Sequence, residues 1–207
     1  EGFYNKPRID FDLLSEHHEG LIALSACIAG EVPRLILSGD YEGAKKTALK
    51  YRGLFGPDNY FLELQNHGID DQIKALDGLK RLSAETGIKL VATNDAHYTK
   101  KSDSRMQNVL MCIQTNQTVG SEGNFEFPTD EFYIKSEDEM LALFSDVPDA
   151  VYNTGEIAAR CKVDFTFGET RLPNFTAPGG KKNADYFLEI CENGLKERYG
   201  NYSLDIK

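Results

Sequence analysis

Apolar residues recur in two rhythms over the first hundred positions. Short, mostly apolar runs occupy 20–26, 60–64 and 89–93. Each is short and ends in small or polar residues, as a strand covered on both faces does. Between them, apolar positions return at helical spacing. In 41–54 they include Tyr41, Ala44, Ala48, Tyr51 and Leu54, with Asp40 as the predicted N-cap and Gly56-Pro57 as the stop. The segment 71–86 repeats this with Ile73, Leu76, Leu79 and Leu82, closed by Gly87. A shorter helix is predicted over 31–37, with Pro33 in its first turn.

Strand–helix–strand alternation predicts a parallel α/β architecture. Three strands neither close a barrel nor make a full open sheet. Further strands are therefore expected before Glu1, and the chain reads as a piece of a larger protein.

The second half changes character. A helix is predicted over 102–114 with Ser102 as cap, then a loop over 115–129 and an extended piece at 132–134. Ser136-Glu137-Asp138-Glu139 is a capping box opening a helix to Phe144. Pro148 opens another to about Cys161. Residues 164–182 carry Pro173, Pro178 and Gly179-Gly180 and predict a loop at a domain boundary. Asn183 is the expected cap of a last helix to Tyr199.

Composition narrows the class. At 207 residues a core forms without disulfides or metal staples. No apolar run reaches the roughly 18 residues of a membrane span. Net charge is −10, from 33 acidic and 23 basic side chains, which argues against a duplex-DNA surface on this segment alone. The acidity suits divalent cations, though most of it reads as a solubilising surface. Cys27, Cys112, Cys161 and Cys191 form no CxxC pair. Buried free thiols in a reducing cytosol, hence a cytoplasmic protein, are the expectation.

The candidate chemistry follows the strands. Asp95 and His97 come directly after the third run, and residues two apart on extended chain share a face. A carboxylate and an imidazole would project together at a strand's C-terminal end, where α/β barrels collect catalytic groups. The pair suits Zn-, Mn- or Fe-type ions; an Asp–His hydrogen bond tying down a loop is the alternative. Cys27 ends the first strand and is either a soft ligand for the same mouth or a small core residue. Glu63 and His67 are weaker candidates, Glu63 as an inward-facing or paired carboxylate and His67 at a turn. His17 and His18 read as surface residues at a charged helix end. No P-loop, dinucleotide fingerprint or Ser/His/Asp order is present, and Gly53-Leu54-Phe55-Gly56 is a helix end.

Several blocks carry a resemblance to a known family. They are Glu1-Gly2-Phe3-Tyr4, residues 20–27 ending in Cys27, Gly39-Asp40-Tyr41, Leu62-Glu63-Leu64-Gln65 with His67-Gly68, residues 91–98 around Asn94-Asp95-Ala96-His97, Cys112-Ile113-Gln114-Thr115, and residues 194–200. Nearly end to end, the chain resembles the alpha subunits of bacterial DNA polymerase III. The resemblance implies that 1–165 is the C-terminal part of a PHP (polymerase and histidinol phosphatase) domain, a distorted seven-stranded α/β barrel. Residues 166–207 would be a mainly helical connector at the start of the palm region. It implies that Cys27, Asp95 and His97 match the last three of nine ligands for up to three metal ions, the others preceding Glu1. Zn or Mn is implied there, and Mg in the palm, whose catalytic aspartates would lie beyond Lys207.

The family implies DNA-directed DNA polymerase activity in the parent. Primer–template DNA, dNTPs, a proofreading subunit and a sliding clamp would be its partners. The PHP site is expected either to hydrolyse phosphoesters, as a 3′–5′ exonuclease, or to serve as a structural platform for a separate proofreading subunit. A stand-alone PHP phosphatase is the further alternative. Gln107 stands where the family often has His, and His97 is retained where some members have Arg. The isolated chain is expected to be inactive and to self-associate through exposed strand edges.

Overall fold

The structure is a computed structural model describing residues 7–121, 126–170 and 174–200. The block Glu1-Gly2-Phe3-Tyr4, part of the 115–129 loop and Pro173 lie outside the described residues. The chain divides into two compact units, Glu1–Lys162 and Val163–Lys207.

The first unit is built on three parallel strands in the order β1-β2-β3: Ala23–Leu24, Tyr60–Leu64 and Leu90–Ala92. Ala23 pairs with Tyr60, and Leu62 with Leu90. The central strand is the deepest: Tyr60, Phe61, Leu62 and Leu64 are each at most 2% exposed. β1 is shorter than the run 20–26 predicted. It pairs only with β2, so its outer edge has no strand partner among the described residues, and Leu21 is 49% exposed.

Helices cover the sheet. α1 (Phe11–Glu16) precedes β1, and α2 (Glu31–Leu37) and α3 (Tyr41–Phe55) follow it. α4 (Asp70–Thr86) joins β2 to β3. Asp40 caps α3 by accepting from Gly43 N–H at 2.9 Å, and α4 ends at Gly87 in the left-handed region, both as expected. Ala44, Ala48, Leu76, Leu79 and Leu82 join Leu62 and Leu64 in one core. Burying each leucine contributes about 1.5–3 kcal/mol. α2 crosses α4 at Gly78, where a Cβ would lie 2.5 Å from Ile36 Cγ2.

Beyond β3 come α5 (Ser104–Thr115), α6 (Glu137–Leu143) and α7 (Pro148–Arg160). The capping box of α6 is present as read. Tyr133 forms an isolated parallel bridge to Tyr98. Met140, Phe144, Ala150 and Val151 bring α6 and α7 into the core. Asn153 of α7 donates to Leu90 O at 2.7 Å, so a side chain satisfies a carbonyl of β3.

In the second unit, α8 (Asn183–Tyr199) follows a short 3₁₀ turn, Pro178–Gly180, and buries no residue. Phe175 stacks on Tyr186 at 5.9 Å.

Four local expectations are corrected. Ser102 is not a cap: it sits inside a 3₁₀ turn, Lys101–Asp103, where the Asp103 carboxylate accepts from Lys100 N–H at 3.0 Å. Asn183 does not cap α8. Its side chain accepts from Ala177 N–H and donates to Phe175 O, tying the helix start to the preceding loop. His18 is half-buried, its ring edge-on to Phe55 at 6.2 Å. Of the four thiols only Cys112 is buried; Cys27 is half-buried, and Cys161 and Cys191 are exposed.

Candidate functional site

Parallel pairing places the C-terminal ends of all three strands on one rim. Ser25 and Cys27 follow β1. Glu63 lies near the end of β2, with Gln65 just past it and His67 two residues on. Thr93, Asn94, Asp95 and His97 follow β3. The period of two puts Glu63, Gln65 and His67 in one register.

Side-chain hydrogen bonds lace the rim together. Ser25 Oγ accepts from Glu63 N–H at 2.8 Å, joining β1 to β2. Glu63 Oε1 accepts from the Thr93 hydroxyl at 2.5 Å and from the Gln65 amide at 2.9 Å, joining β2 to β3. Glu63 is thus paired, as read. It shares a cavity of about 10 Å³ with Cys27, Gln65 and Gln72, room for a single water. Gly30 closes the turn carrying Cys27: its N–H donates to Cys27 O at 2.7 Å, and a Cβ there would meet Ser25 O at 2.3 Å.

His67 is 1% exposed and fully engaged. Nε2 lies 2.9 Å from Asn94 O, a carbonyl that only accepts, so Nε2 carries the proton. Nδ1 then accepts from the Gln72 amide at 2.9 Å, while Gln72 Oε1 accepts from His67 N–H at 2.7 Å. The imidazole also stacks on Phe132.

Asp95 and His97 sit at the outer lip. Asp95 has φ +39°, in the left-handed region that Asp tolerates better than most residues. His97 is exposed, and its Nδ1 donates to Asp95 O at 2.8 Å. That leaves Nε2 as the acceptor. The His97 backbone N–H donates to Phe132 O at 2.8 Å. Burial raises the Tyr98 hydroxyl pKa, and the Lys101 ammonium holds the Glu131 carboxyl below its usual range.

Cys27 and Glu63 therefore share one cavity, which Asp95 and His97 do not line. Among the described residues no three His, Cys, Asp or Glu side chains gather into a set that could hold a metal ion. The donor types fit a Zn- or Mn-type ion, but their arrangement does not form a site, so no chemical step is derived through one. Ser25, Gln65, Gln72, Thr93 and Phe132 went unread in the sequence. Only Gln65 left a signal there, through its register with Glu63.

The PHP domain family model matches residues 1–67, which takes in Cys27, Glu63 and His67. The DNA polymerase III subunit alpha of Treponema pallidum is 43% identical over 208 residues, covering 100% of this chain. The subunit alpha of Borreliella burgdorferi is 44% identical over 210 residues, again across 100% of the chain. This chain matches a segment of the DNA polymerase III alpha subunits. The likeness extends to the subunit of Thermus aquaticus, 41% identical over 96% of the chain. The chain spans about 18% of the length of the first two alpha subunits. The family resemblance read from the residue blocks holds, and the mixed α/β fold with a small parallel sheet accords with it. No described helix is long and apolar enough to cross a membrane.

Proposed function

We propose that this chain is part of a replicative DNA-directed DNA polymerase and contributes scaffold and part of a metal-dependent phosphoesterase site. The parent would extend a primer on template DNA with dNTPs, using Mg in a palm outside this segment. Its proofreading and clamp partners follow from the same reading, as does a cytoplasmic location. The strands of this segment would belong to a seven-stranded PHP barrel.

One observation carries the site reading. Cys27 follows the C-terminal end of β1 and the Asp95–His97 pair that of β3, the parallel strands on either side of β2, in a chain matched end to end by alpha subunits. The His97 tautomer supports it: a ligating imidazole normally donates its other N–H to a carbonyl or carboxylate. Cys27, Asp95 and His97 would supply thiolate, carboxylate and imidazole donors to Zn or Mn. The activity would be 3′–5′ exonuclease.

A second reading rests on the interlocked rim. Glu63 and His67 are spent on hydrogen bonds that tie the strand ends together. This favours a structural platform on which a proofreading subunit docks. The purified parent, given a mismatched primer with Zn or Mn, separates the two. Loss of nuclease in His97→Ala with polymerisation intact supports the phosphoesterase. Absence of nuclease in the wild type, with an earlier-melting variant, supports the platform.

A further inference from the structure

His97 is an exposed residue whose ring is nonetheless held on several sides. Its backbone N–H donates to Phe132 O at 2.8 Å, and its Nδ1–H donates to Asp95 O at 2.8 Å. The Phe132 ring meets the imidazole edge-on at 5.5 Å, and the Phe127 ring lies tilted against it at 4.6 Å. The two phenylalanine rings also touch each other, with centroids 4.6 Å apart. An exposed imidazole without such neighbours turns between broad wells about its last side-chain bond within nanoseconds.

Phe132 is itself fixed. It is 5% exposed, and its ring stacks on the buried His67 imidazole. Its carbonyl accepts the N–H of Tyr98 at 3.3 Å as well as that of His97, and its own N–H donates to the Tyr98 hydroxyl at 3.3 Å. The aromatic pair is thus anchored in the core on one side and reaches the lip on the other.

The hydrogen bond to Asp95 O does not hold the imidazole unaided. At an exposed position it competes with water and contributes little net. The two rings fix the plane of the imidazole, and only in that plane does Nδ1–H stay aimed at Asp95 O. A ring free to turn would exchange this bond for water, and its proton would divide between the two nitrogens.

We infer that Phe132, together with Phe127, is a positioning residue for His97: the two rings hold the imidazole as the Nδ1–H tautomer and leave Nε2 as the acceptor. Among the described residues Nε2 has no hydrogen-bond partner. The inference rests on the reading of His97 as a donor of the rim, and it names the residues that aim that donor.

The test uses the 207-residue chain with ¹⁵N-labelled histidine, without metal, at alkaline pH where imidazoles are neutral. Long-range ¹H–¹⁵N NMR spectra report the tautomer of each ring, and His97→Ala assigns the His97 signals. The wild type should show a single Nδ1–H tautomer. Phe132→Leu should bring the two ring-nitrogen shifts of His97 together, as a mixture of tautomers does, and Phe127→Leu should do so in part. Phe127 is half-buried and takes no part in the His67 stack, so its variant decides the matter if Phe132→Leu melts early. A role in stability alone would lower the melting temperature and leave the tautomer as it is. Mixing in either variant supports the clamp. A single Nδ1–H tautomer kept by every folded variant, or a mixture already present in the wild type, would overturn it. No metal and no substrate enter the measurement. Its failure leaves the metal content of the rim to be decided separately, and loss of the donor reading leaves the tautomer result standing.

Discussion

The His67 imidazole lies flat on the Phe132 ring, with centroids 4.1 Å apart and planes 6° from parallel. This contact joins the end of β2 to the segment that follows α5. The same Phe132 accepts the His97 backbone N–H and meets the His97 ring edge-on at 5.5 Å. One aromatic side chain thus connects the pinned histidine of the rim to the exposed one. His67→Ala removes the stack and two ring hydrogen bonds from a fully buried position. Urea unfolding should show a loss of about 2–4 kcal/mol. His97→Ala, at an exposed position, should stay within about 1 kcal/mol of the parent chain.

Gly78 of α4 packs directly against Ile36 of α2. Alanine is the better helix former by about 1 kcal/mol. At Gly78 its Cβ would lie 2.5 Å from Ile36, so overpacking should win. Gly78→Ala is expected to destabilise by about 1–3 kcal/mol, and Gly78→Ala with Ile36→Ala should recover part of that loss.

Acid should loosen the exposed clamps first. The Glu139 carboxyl is lowered from its ordinary 4.5 to about 2, first by the Tyr133 hydroxyl and then by Ser136. Glu85 is lowered to about 2 by Lys45 and Arg81. Both pKa values are depressed in the fold. The stability they add is therefore complete above about 4.5 and is lost as pH falls toward 2. Thermal melts between those limits should show this slope, and Glu139→Gln with Glu85→Gln should flatten it.

The open edge of β1 predicts self-association. Among the described residues β1 pairs only with β2, and Leu21 beside it is 49% exposed. Light scattering on the isolated chain should report a mass above the monomer, and Leu21→Lys should bring it down. A monomer at every concentration would contradict this.

How much of this was legible in the sequence follows from what each feature depends on. α3 and α4 were readable because capping and apolar spacing are local: Asp40, Gly56 and Gly87 act within one turn of their helices. β2 was readable because both its faces are buried. β1 was overread, since a run of apolar residues does not reveal that its outer edge has no strand partner among the described residues. At the rim, Cys27 stands just past β1 as its place at a strand end implied, but the shared face read from the spacing of Asp95 and His97 assumed extended chain, and Asp95 turns into the left-handed region instead. The partners of Glu63 and His67 were not legible. Thr93 lies 30 residues from Glu63, and Phe132 lies 65 from His67; only the folded chain brings them together.

The claim that the rim residues belong to a metal site is tested most directly by metal content. The full-length parent would be purified with Zn or Mn, alongside Cys27→Ser, Asp95→Asn and His97→Ala, and bound metal counted by mass spectrometry. The account predicts that each substitution lowers the metal bound per chain while the melting temperature changes little for the exposed His97. Unchanged metal content in all three variants would contradict it.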